Sequence, residues 1–200
     1  MRRALVIVLL AACGHSYPSV DLSERWPDRA GDYDDVTMEW TRKDKLHGQY
    51  QEILDLTATF KSNEWRLAHA ERDASLRGLV GEARDQFLAQ AKADAAGPYE
   101  IEVMVTTWDR RENDIDRGKK STWRVVMIDP AGKEVEPLEI VKDRRPVYVV
   151  RAEFPALGEF AQAYVARFPR TTPLLGPDIK HARLRMSSPQ GAAEVDWDSP

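Results

Sequence analysis

Carboxylates crowd one stretch of the chain. Asp109, Glu112, Asp114 and Asp116 fall close together and follow directly on Trp108. Oxygen-bearing side chains alternating in a loop suit calcium, and an exposed tryptophan beside them suits a glycan or a partner protein. The spacing is not that of an EF-hand, and Arg110, Arg111 and Arg117 oppose a cation. The loop therefore reads first as a solvated connection between strands. Its second reading is a partner or ion contact through Trp108, Asp109, Glu112, Asp114 and Asp116. Other chemistry has less to stand on. His15, His47, His69 and His181 do not pair at metal-ligand spacing, so no metal site is expected. A strained G-x-S-x-G turn is missing, and Ser187 and Ser188 sit where a hairpin turn explains them. With 33 acidic residues, no two stand out as an acid–base pair. No catalytic residue is expected. Trp40 and Trp123 lie among alternating apolar positions and read as core.

The remaining reactive side chain is the lone thiol of Cys13. It ends the run MRRALVIVLLAAC, in which Arg2 and Arg3 precede a short apolar stretch and two alanines. Charge, apolar run and small residues in that order make a secretory signal. The apolar run is far shorter than the roughly 20 residues a membrane span requires. Leu10-Ala11-Ala12-Cys13 resembles the lipobox of bacterial lipoproteins. The resemblance implies a diacylglyceryl group on the Cys13 thiol, cleavage before it and an N-acyl chain on the new amine. Such a protein is held in the cell envelope by lipid alone and needs no other cofactor. Gly14 follows instead of aspartate, which the same resemblance reads as transfer to the outer membrane. Each buried methylene contributes about 0.8 kcal/mol, so several acyl chains hold firmly.

Composition agrees with an extracytoplasmic body that needs a packed core. The formal net charge is −4 at pH 7, and Arg2 and Arg3 belong to the signal, so the mature chain is more acidic still. That disfavours nucleic acid as a partner. No second cysteine exists to form an internal disulfide, even in an oxidising compartment.

Three parts are expected: a signal over 1–12, a lipidated tether over 13–35, and one domain over 36–197 that includes a helical insertion at about 63–96. The tether carries Pro18, Pro27 and Gly31 and ends in the acidic group Asp32, Asp34 and Asp35. Residues 36–41 alternate apolar and polar, as do 53–60, and both read as strands. Ser62 reads as a helix cap, Gly78 and Gly81 as a division between two helices, and Gly97-Pro98 as a stop. Extended segments follow around 99–106, 123–129 and 133–141. A β-branched and aromatic run over 147–154 reads as another strand, and so does 160–168. A closing hairpin pairs 182–186 with 193–197. The sum is a mostly β, α+β fold: an immunoglobulin-like antiparallel β-sandwich with helices inserted between its second and third strands.

Four segments carry a second, looser resemblance: Ala58-Thr-Phe-Lys-Ser62, Trp123-Arg-Val-Val, Tyr164-Val-Ala-Arg-Phe-Pro169 and the hairpin ending at Trp197. They are similar to β-sandwich modules of a group of bacterial envelope lipoproteins. That resemblance implies fold and location and brings no activity with it. The expected function is a non-enzymatic, membrane-anchored accessory protein that binds another envelope protein. A glycan- or calcium-binding module built on the 108–117 loop, and a hydrolase with a carboxylate site, stay open as alternatives.

Overall fold

The structure is a computed structural model that describes residues 17–200. Cys13, the signal and His15 lie outside the described residues. A short helix α1 (Tyr33–Glu39) leads into strands β1 (Thr41–His47) and β2 (Glu52–Phe60). Helices α2 (Asn63–Leu76) and α3 (Gly81–Asp94) then precede β3 (Tyr99–Thr107). Strands β4 (Arg124–Ile128), β5 (Glu134–Val135) and β6 (Glu139–Lys142) follow, then helix α4 (Val147–Glu153). Strands β7 (Gln162–Phe168), β8 (His181–Ser188) and β9 (Gly191–Asp198) close the chain. The strands form two antiparallel sheets, ordered β1-β2-β3-β7-β6 and β5-β4-β8-β9.

The mostly β, two-sheet architecture with helices between β2 and β3 matches the expectation. The connection order does not reproduce the immunoglobulin pattern, which puts the second and third strands in opposite sheets. Here β2 and β3 are hydrogen-bonded neighbours, with Ala58 opposite Val103. The inner faces share one core. Phe60 of β2 meets Trp197 of β9 edge-on at 5.5 Å, and the Trp197 indole donates to the Trp40 carbonyl at 2.8 Å. Ser62 caps α2 by accepting from the Trp65 amide. Gly78, at φ 65°, closes that helix in a left-handed conformation that only glycine adopts without strain.

Three segments depart from the sequence reading. Residues 36–41 are not a strand: α1 occupies most of them, and β1 begins only at Thr41. The acidic group taken for the end of a tether is the reason. Asp32 accepts from the amides of Asp34 and Asp35, and those two acids lie in the first turn, where the helix dipole favours them. Residues 147–153 form α4 instead of a strand. Val149 and Val150 both donate to the Pro146 carbonyl, and Val150 and Phe154 bury one helical turn apart. A short apolar run does not distinguish the two conformations. The expected tether is also mostly bound. Val20 and Leu22 are buried, with the Val20 amide on the Asp198 carbonyl at 2.8 Å and the Leu22 carbonyl accepting from Gly176 at 2.7 Å.

Candidate functional site

The outer face of the five-stranded sheet should be apolar or wet. Under the helices it is neither. Thr59, Glu102 and Val165 stand opposite one another across β2, β3 and β7, with Glu100 opposite Arg167 one step along. Opposed residues share a face. Helix α2 lays Trp65 and His69 over this face, and α4 brings Glu153 from the other side. Trp65 is stacked between His69 (4.8 Å, 20°) and Phe154 (5.6 Å, 7°), and its indole donates to Thr37 Oγ1 at 3.0 Å. A cleft of about 460 Å³ opens above them, walled by α2, by Phe87 and Ala91 of α3, and by residues 141–145.

Charge fills the cleft in pairs. His69 Nε2 meets Glu153 Oε1 at 2.9 Å, and Arg145 bridges Glu153 at 2.6 Å and Asp143 at 2.7 Å. Arg66 and Arg167 both reach Glu100, at 3.3 and 2.8 Å. Burial alone would raise the Glu153 carboxyl. Its His69 and Arg145 partners outweigh that and hold it below the ordinary range. Glu100 is lowered in the same way, against its own burial, by Arg167, Lys61 and Arg66.

Glu102 is the exception. It is 0% exposed, and neither carboxylate oxygen has a hydrogen-bond partner. Lys61 Nζ stands 3.0 Å from Oε2 as its ion-pair partner. Burial pushes the Glu102 carboxyl up, and the nearby lysine offsets this only in part. At the cleft mouth the exposed Arg144 makes no ion pair among the described residues, while Lys142, opposite Tyr164 on β7, shares the other face of the sheet. Glu102 apart, the charges of the cleft floor are paired, with a spare cation at the entrance. The cleft is suited to hold an acidic segment.

The residues singled out in the sequence lie elsewhere. Trp108 ends β3 with its amide on the Ile53 carbonyl and is 70% exposed. Asp109 is used locally, accepting from the Arg111 amide and Nε. Glu112 closes a single 3-10 turn (Arg110–Glu112). Asp114 accepts from Ser121 Oγ at 2.8 Å and pairs with Arg117, while Asp116 points to solvent. No group of three or more such ligands that could hold a metal ion occurs among the described residues. His47 is exposed, and His181 pairs with Asp198 and Asp196. His69 is part of the cleft wall. Sequence reasoning missed Lys61, Glu102, Arg145 and Glu153 as well. Glu100 and Glu102 alternate on one face of β3, and only the folded structure shows that α2 and α4 cover that face.

No protein-family model matches the chain, and neither a curated protein nor a solved structure was found to match it.

Proposed function

We propose that the protein is a lipid-anchored lipoprotein of the cell envelope, fixed through acylated Cys13 to the outer membrane, and that its body binds an acidic segment of another envelope protein. The scaffold is then a sandwich of two sheets, immunoglobulin-like in its layering though not in the placement of its second and third strands. Its role is that of an accessory subunit, not an enzyme.

One observation supports the binding reading: the cleft pairs most of its own charges and leaves the exposed Arg144 at its mouth without an ion pair among the described residues. Helix α3 beside it has no fully buried residue, and α4 leaves Val147 and Tyr148 exposed nearby. Exposed apolar groups around an unspent charge are what a partner's approach would use, with charge steering the encounter. Crosslinking in intact cells, followed by capture of the lipidated protein, tests this. The wild-type chain is expected to retain one partner, and Arg144→Glu to release it while the body stays folded. Equal capture by both chains refutes the assignment to this cleft.

A further inference from the structure

We infer that the sheet end carrying Tyr50, Trp108 and Phe160 rests in the interfacial layer of the bilayer, so the anchor sets the orientation of the body as well as its location. The inference rests on the acylated Cys13 reading above and goes beyond it.

Three aromatic side chains are exposed at this end: Tyr50 at 87%, Trp108 at 70% and Phe160 at 65%. The register groups them. Leu54 pairs with Thr107 and Val105 with Gln162, so the start of β2, the end of β3 and the start of β7 lie at one edge. Tyr50 is in the turn joining β1 to β2, Trp108 follows Thr107, and Phe160 precedes Gln162 by two. The Arg110 guanidinium lies 5.5 Å over the Phe160 ring. Aromatic rings with a long cationic side chain beside them are a composition that membrane interfaces favour.

The path of the chain leads to the same end. Glu24 accepts from Asn63 beside the start of α2, Pro18 accepts from Arg42, and the Tyr17 hydroxyl bonds the Lys43 backbone at 3.0 and 3.1 Å. Traced backwards from Glu24 to Tyr17, the chain climbs along β1 toward the Tyr50 turn. Four residue steps separate Tyr17 from Cys13, a reach of at most about 14 Å. Lys43 to His47 is the same number of steps on β1, about 13 Å. Fully extended in that direction, the four steps from Tyr17 span the length of β1 up to the aromatic end. A leash this short leaves the body little freedom to stand away from the bilayer. The charged cleft then faces sideways on the sheet's outer surface, open to a partner.

Mature protein extracted with its native N-terminus would be reconstituted into phosphatidylcholine vesicles with acyl chains brominated near the carbonyl. Flotation reads attachment, bromine quenching of tryptophan reads depth, and the mass of the floated chain reads acylation. Wild type is expected to float and be quenched, and Trp108→Phe to float with most of that quenching gone. If both acylated chains float and quench alike, the orientation is wrong while the anchor stands. If the chain carries no acyl groups, the anchor reading fails and this inference fails with it.

Discussion

Among the described residues two charged side chains are fully enclosed, Arg42 and Glu102, and their surroundings are opposite. Arg42, 1% exposed, sits where β1 meets β9. Its guanidinium donates to the carbonyls of Asp196, Glu39, Thr41 and Pro18. Glu102 lies on the outer face of the same sheet with no backbone donor, and only the Lys61 ammonium 3.0 Å away opposes its charge. Burying a charge is costly in both places. At the seam the backbone itself meets the cost, so Arg42 ties the N-terminal segment, α1, β1 and β9 together. Burial lowers its proton affinity, and the neighbouring Asp198 and Asp196 oppose that. Beneath the cleft the cost stays largely unmet. One buried charge is mortar for the fold; the other is a stressed point under the region assigned to binding.

The contrast can be broken from either side. The larger effect is at the seam. Arg42→Met leaves several carbonyls without donors and is expected to remove about 3–5 kcal/mol of stability. Urea unfolding measures this, and limited proteolysis should cut the chain near residue 17 first. A loss under about 1 kcal/mol would mean that the seam does not depend on this arginine.

The smaller effect has the opposite sign. Glu102→Gln removes the unmet charge and is expected to stabilise the fold by about 1 kcal/mol near neutral pH. Lys61, its side chain 11% exposed, keeps Glu100 as a nearby opposite charge, which limits the loss of its partner. The pH dependence follows from the raised carboxyl. In strong acid both folded and unfolded chains hold the proton and no cost exists. As pH rises, the unfolded chain ionises first and wild-type stability falls, until pH passes the folded-state value and the cost levels off. The advantage of Glu102→Gln should therefore shrink as pH is lowered through that window. A variant less stable than wild type, with a pH-independent difference, would show Glu102 to be well compensated.

Local signals were read correctly where local physics decides. The alternation of Leu54, Leu56, Ala58 and Phe60 gave β2, Ser62 gave the start of α2, and Ser188 to Gly191 gave the last hairpin. Helix α1 was hidden because its six-residue alternation outweighed the Asp32 cap beside it. Helix α4 was hidden because Val147, Val149 and Val150 favour strands in isolation, and only the packing of Val150 and Phe154 against the body selects a helix. The buried pair Val20 and Leu22 stood in a region whose prolines suggested a tether. The cleft was the least legible part. Lys61, His69, Glu102 and Glu153 are scattered along the sequence and acquire a shared environment only when α2 and α4 close over the sheet. In sequence, Glu102 looks like any solvated strand residue.

The account stands or falls on the chain's beginning. Intact mass spectrometry of protein extracted from cell membranes tests it directly. The expected species starts at Cys13 and carries a thioether-linked glyceride with an N-acyl chain. A species that keeps Met1, or that has an unmodified thiol at Cys13, contradicts the anchor and, with it, the proposed place of this protein in the envelope.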